Sequence, residues 1–178
     1  MTEHKIILTG PVGAGKSTAI RSLSDIEPVS TDELASDITK ARKSQTTVAM
    51  DYGLLKLDGG ETIHLYGTPG QERFDFMWDI LTTGGIGLVL LINNARPAPF
   101  KDLAFFLAAF SGFIDKSALA IGVTQMDIAD APTLDDYYAE LPAKYSNTPV
   151  FEVDARNKND VVILVESLLF SLDQGLEA

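Results

Sequence analysis

Gly10-Pro11-Val12-Gly13-Ala14-Gly15-Lys16-Ser17 is the stretch that decides the fold of this chain. It matches G-x-x-x-x-G-K-[ST] in full. The apolar run Ile6-Ile7-Leu8 before it predicts a strand, and Thr18-Ala19-Ile20-Arg21-Ser22-Leu23 after it predicts the opening of a helix. Strand, glycine loop and helix N-terminus form the context in which this motif binds phosphate. Glycines let successive backbone N–H groups turn inward, and the positive end of the helix dipole adds to the field they create. Lys16 is then placed to reach β- and γ-phosphates and the Ser17 hydroxyl to ligate Mg²⁺. Gly13, Ala14, Gly15 and Thr18 complete the expected phosphate cradle.

Working outward, strand-like and helix-like segments alternate, which predicts an α/β fold around a mostly parallel sheet. Strands are expected at Ile6–Thr9, Val48–Leu57, Thr62–Tyr66, Gly87–Asn93, Leu119–Thr124 and Pro149–Val153. Asp58-Gly59-Gly60-Glu61 is a hairpin turn signal and marks the one antiparallel strand. Gly87–Asn93 and Leu119–Thr124 are continuous apolar runs, as central strands buried on both faces require. Lys101–Ile114 carries Leu103, Phe106, Leu107 and Phe110 at helical spacing, and Val161, Leu164, Val165, Leu168 and Leu172 repeat the pattern in a final helix. Residues 28–46 are polar, with weak periodicity, and form a long excursion. The expectation is a three-layer α/β/α domain spanning 1–178, with six strands and one antiparallel edge strand. Ligands of such sheets sit beyond the carboxyl ends of the strands.

The 178 residues carry a formal net charge of −11, 46% hydrophobic and 22% charged residues, and no cysteine. This is the composition of an ordinary globular domain. The acidic balance argues against nucleic acid or anionic lipid as the main partner, since both select a basic surface. It leaves nucleotide open, because a local pocket of backbone dipoles holds its phosphates. Disulfide and thiolate chemistry are excluded. No run of about 18 apolar residues, signal-peptide core or lipidation box is present, so the expected location is cytoplasmic, without a direct membrane anchor.

Further motifs stand after the predicted strands. Thr46-Thr47-Val48-Ala49-Met50-Asp51-Tyr52, Gly67-Thr68-Pro69-Gly70-Gln71-Glu72-Arg73-Phe74, Thr124-Gln125-Met126-Asp127 and Asp154-Ala155-Arg156 follow the phosphate loop in order. Together the five segments resemble the Ras-like small GTPases, and within them the bacterial branch of MglA-like and conservon-type GTP-binding proteins. That resemblance implies a G domain binding GTP or GDP with Mg²⁺. It implies that Thr47, like Ser17, ligates the metal, that the Gly70 N–H meets the γ-phosphate, and that Gln71 orients the attacking water. It also implies that Asp127, with Thr124 and Gln125, reads guanine, that the Ala155 N–H meets guanine O6, and that Arg156 belongs to the same base-capping loop. A protein effector and a Roadblock/LC7-type regulator are the implied partners.

Two residues depart from that pattern. Gly67 stands where the family carries the aspartate that holds a Mg²⁺-bound water; Asp51, on the neighbouring predicted strand, is a candidate replacement, with an edge-strand surface charge as the plain alternative. Val12 replaces glycine beside the space for Gln71 and an arginine finger, which points to slow intrinsic hydrolysis. Arg42 in Lys40-Ala41-Arg42-Lys43, or else Arg73, is the candidate arginine in cis. The apolar cluster Phe74, Phe76, Met77 and Trp78 is expected to be divided between core and a partner surface. The functional expectation is a slow, partner-regulated GTP hydrolase acting as a molecular switch, with Gln71, Lys16 and Arg42 as the catalytic set. The alternatives are a nucleotide-bound interaction module without effective hydrolysis and, further off, a small-molecule kinase.

Overall fold

The structure is a computed structural model that describes residues 2–30, 50–70 and 76–174. Strands β1 (Glu3–Thr9), β2 (Val29–Ser30), β3 (Asp51–Lys56), β4 (Thr62–Gly67), β5 (Gly87–Asn93), β6 (Ala118–Thr124) and β7 (Val150–Glu152) form one sheet in the order β2-β3-β4-β1-β5-β6-β7. The β4-β1-β5-β6-β7 portion is parallel. β3 runs antiparallel to β4, as the Asp58–Glu61 turn requires, and the two-residue β2 pairs antiparallel with its outer edge. The six expected strands are all present, and β2 is the addition. It makes β3 the second strand from the edge instead of the edge itself.

Alternation along the strands assigns the two faces. Ile6 and Leu8 of β1, with Val89 and Leu91 of β5, pack on one side with α1 (Lys16–Leu23) and α6 (Lys158–Gln174). Ile7, Leu88, Leu90 and Ile92 face the other side. There they meet Trp78 of α2 (Phe76–Thr82), Leu103, Phe106 and Leu107 of α3 (Pro99–Ala109), Ile114 of α4 (Ser111–Ile114) and Tyr137 of α5 (Leu134–Glu140). Every residue of β5 and β6 is buried, which is why both read as unbroken apolar runs. Ala118 and Ala120, small residues, face the α6 side. At Gly122 a Cβ would lie 2.9 Å from Leu164 Cδ2 and at Gly87 2.5 Å from Leu168 Cδ2, so α6 packs as close as glycine permits.

Two expectations change at the helices. The predicted helix over 101–114 is two: the chain breaks at Phe110 (φ −100, ψ 9) between α3 and α4. α5 carries a signal the periodicity did not show, a capping box in which the Thr133 hydroxyl accepts the Asp136 N–H and the Asp136 carboxylate accepts the Thr133 N–H. Among the described residues no helix is long and apolar enough to cross a membrane.

Candidate functional site

The glycine loop leaves β1 at Gly10 and enters α1 at Lys16. Gly10 abuts β5 so closely that a Cβ would lie 2.0 Å from Leu91 O. Gly15, the N-cap of α1, has φ 97, a left-handed conformation that glycine alone adopts without cost. Loop carbonyls are taken by side chains from the ends of β5 and β6. Gly13 O accepts from Asn93 Nδ2 at 3.1 Å and from Gln125 Nε2 at 3.3 Å, and Ala14 O accepts from Thr124 Oγ1 at 2.9 Å. These three hydrogen bonds tie the Gly13 and Ala14 carbonyls to the strand ends and fix that half of the loop. Gln125 reaches Gly13 from a left-handed backbone (φ 58), unusual for a residue with a side chain.

Lys16 Nζ donates to Gly10 O at 2.6 Å and to Pro11 O at 2.8 Å. Burial pushes its ammonium down from 10.5 to about 8; the Asp51 carboxylate opposes the drop and the Arg96 guanidinium adds to it. An ammonium whose pKa burial has lowered holds its proton more firmly once an anion lies beside it. Arg96 is a member of this site that the sequence reasoning missed. Its Nε donates to Asp102 Oδ2 at 2.6 Å, and its Nη1 approaches Val12 O at 3.4 Å, so it lies over the outer face of the loop. Val12 itself is 55% exposed.

Two buried contacts join the Thr68-Pro69-Gly70 loop to this cradle. Thr9 and Thr68 share a hydroxyl hydrogen bond of 2.7 Å, and Thr68 N–H donates to Leu8 O at 2.9 Å. Gly70 sits on the glycine loop: a Cβ there would lie 2.7 Å from Val12 N and 2.8 Å from Lys16 Nζ. Trp78 Nε1 donates to Pro69 O at 3.1 Å, and its indole stacks on Phe110 with ring centroids 4.9 Å apart. Of the apolar cluster expected to be divided, Trp78 is core at 4% exposure and Met77 is half-buried. Gln71, Arg73 and Phe74 lie outside the described residues, as do Arg42, Thr46 and Thr47.

Beside the loop lies a cavity of about 540 Å³. Ala14, Gly15 and Thr18 form its phosphate-side wall, and Thr124, Gln125 and Asp127 face them together with Ala155 and Arg156. Three motifs far apart in sequence thus open into one space. The wall at 154–156 is braced: the Asp154 carboxylate takes the Arg156 N–H and guanidinium, each at 2.9 Å, and Ala155 O accepts from Ser22 Oγ at 2.6 Å. The Arg156 contacts hold the Asp154 carboxyl below the usual carboxylate range.

On the other side of Lys16, the Ser17 hydroxyl donates to Asp51 Oδ2. Serine oxygen and carboxylate beside a phosphate cradle are hard donors of the kind Mg²⁺ selects. Among the described residues no group of three or more His, Asp or Glu could hold a metal ion. A cation here would draw most of its shell from phosphate oxygens and water, as Mg²⁺ does at phosphate sites. The residues present therefore fit the metal.

Residues 25–166 match the family described as "conserved hypothetical ATP binding protein". Over 135 residues the chain is 28% identical to the uncharacterized protein MJ1339 of Methanocaldococcus jannaschii, covering 76% of this chain and 78% of that one. The match overturns the expected membership of the Ras-like GTPases and of their MglA-like branch, and with it the basis for a Roadblock/LC7-type partner. The physical reason is that a phosphate loop and short strand-end motifs on a sheet of this topology do not fix which family a chain belongs to. The departure at Gly67 already stood outside the Ras-like pattern. By its sequence, this nucleotide-binding chain belongs to the conserved hypothetical ATP binding protein family.

Proposed function

We propose that the protein binds a guanine nucleoside triphosphate with Mg²⁺ and slowly hydrolyses its γ-phosphate. The observation that carries this reading is the cavity shared by the phosphate loop and Asp127. A carboxylate offers two acceptors and no donor. It suits guanine, whose N1–H and exocyclic amine are adjacent donors; adenine presents an acceptor at N1. The glycine-loop N–H groups and Lys16 bind the phosphates, and Ser17 would hold the metal, which would supply neutralisation of phosphate charge. Lys16 and Gly70, which lie against each other at the loop, are the groups proposed to stabilise the negative charge that grows as the γ-phosphoryl group leaves. Catalysis of this kind is mostly positioning and electrostatic stabilisation. Gln71 follows Gly70 directly and is the residue proposed to orient water. Ala155 and Arg156 close the base end of the cavity, with Thr124 and Gln125 on its floor.

The test is identification of the nucleotide released when freshly purified protein is denatured, followed by affinities for guanine and adenine nucleotides in native protein and in Asp127→Asn. Guanine nucleotide is expected in the released fraction. The substitution is expected to weaken guanine binding by about 10–100-fold, the worth of hydrogen bonds to a charged acceptor, and to leave adenine affinity within a few-fold. Adenine nucleotide in the protein, with no effect of the substitution, would refute the base assignment and return the reading to the ATP of the family's description.

A further inference from the structure

The β3–β4 ladder sets Asp51 directly opposite Gly67. Residues opposed across an antiparallel pair carry their side chains on the same face as close neighbours. Gly67 ends β4 just before the loop that lies on the phosphate cradle, and it has no side chain to offer there. The volume is nonetheless occupied. A Cβ built on Gly67 would stand 3.4 Å from Asp51 Cβ and 3.6 Å from Asp51 Oδ2, with Ile20 Cδ1 at 3.0 Å walling the other side. The carboxylate in that volume accepts the hydroxyl hydrogen of Ser17, the loop residue that fits a cation. A serine that gives its hydrogen to a carboxylate keeps its oxygen lone pairs for another partner, and their direction is fixed by the bond.

We infer that Asp51 is the carboxylate of the Mg²⁺ site, delivered from β3 into the place that a side chain on β4 residue 67 would fill. Its role is to orient the Ser17 oxygen toward the metal and to set one negative charge beside it. The inference rests on the proposed nucleotide binding, and it explains a pairing that nucleotide binding alone does not require: an aspartate facing a glycine, tied to the phosphate-loop serine. Such carboxylates behind a metal-ligating oxygen are worth about 10–100-fold in metal affinity. A carboxylate at either position of the ladder reaches the same volume, so the two positions are interchangeable in principle. Two side chains there at once would collide.

The experiment is an electron paramagnetic resonance titration with Mn²⁺ of protein loaded with a fluorescent, non-hydrolysable guanine triphosphate analogue, loading being read from the fluorescence in EDTA. Asp51→Asn is expected to raise the Mn²⁺ Kd by about 10–100-fold. The exchange Asp51→Gly with Gly67→Asp is expected to return it to within a few-fold of the native value, a recovery that loss of fold integrity in Asp51→Asn would not give. An Asp51→Asn protein that binds Mn²⁺ like the native chain would overturn the inference. So would an exchanged protein that loads with nucleotide and yet stays at the Asp51→Asn value. Failure of the native chain to load in EDTA or in Mg²⁺ would instead refute the proposed guanine-nucleotide binding, and this inference would fall with it.

Discussion

Raising the pH should weaken nucleotide binding through one group, Lys16. In the free protein its ammonium is held down from 10.5 to about 8, chiefly by burial. At 1.36 kcal/mol per pKa unit this is about 3 kcal/mol against the charged form. A triphosphate next to Nζ restores the charged form, so the bound-state pKa lies well above 8. Below about pH 7.5 both states carry the proton and Kd is expected to be flat. Above 8 the free protein has lost the proton that the complex needs, and Kd should rise toward tenfold per pH unit. At pH 9 binding should take up about 0.9 proton, and at pH 7 almost none. Calorimetry in pairs of buffers with different ionisation enthalpies, in EDTA to keep the metal-linked groups out, reads that number directly. Arg96→Gln provides the control. The Arg96 charge helps to depress Lys16, so its loss should move the onset of the Kd rise to higher pH. The sign for folding is separate and also testable. The folded pKa lies below the unfolded one, so the unfolded chain binds more protons between about pH 8 and 10.5, and the Lys16 contribution to stability rises across that window. A Kd that stays flat from pH 7 to 9, with no proton uptake at 9, would refute the claim that a buried, partly discharged Lys16 receives the phosphates.

Gly70→Ala places a Cβ against backbone, 2.7 Å from Val12 N and 2.9 Å from Pro11 C, which no rotamer relieves. The Thr68–Gly70 loop must then back away, and paired Kd measurements should show triphosphate affinity falling at least about tenfold more than diphosphate affinity, consistent with a lost phosphate contact of about 1.4 kcal/mol or more. Trp78→Ala should cost about 3–5 kcal/mol, because the indole is buried against Phe106 and Phe110. In a chain of this size that lowers Tm by roughly 10 °C or more. Trp78→Phe keeps most of the packing and removes only the donor to Pro69 O. Its melting curve should lose about 1 kcal/mol, while the preference for triphosphate over diphosphate declines.

Which parts of the fold and site were legible in the sequence follows from where the determining contacts lie along the chain. The glycine loop is contiguous, and its chemistry resides in backbone N–H groups that eight consecutive residues arrange, so it could be read without a fold. β5 and β6 were equally readable, because burial on both faces leaves no polar residue to interrupt the run. The break at Phe110 was not, since α3 and α4 are apolar on either side of it and periodicity carries no mark of the turn. Family membership was not legible, because a phosphate loop and short strand-end motifs recur across families that share this sheet.

By itself the sequence determined a parallel α/β sheet with a phosphate loop at the end of its first strand. It also determined the order of the motifs that return to that end, because strand periodicity and glycine spacing are local properties. Only tertiary structure decided which side chains share the site. Asp51 lies 34 residues from Ser17 in the chain, Asn93 lies 80 from Gly13 and Arg96 lies 84 from Val12, yet each pair is in contact. Those contacts arise from strand order and register: β4 inserted beside β1 brings β3 in behind it, and β5 and β6 end level with each other, three residues beyond the end of β1, so that their last side chains reach over the glycine loop. Register moves a side chain from one face to the other with a slip of a single residue, and it is set by packing over the whole sheet.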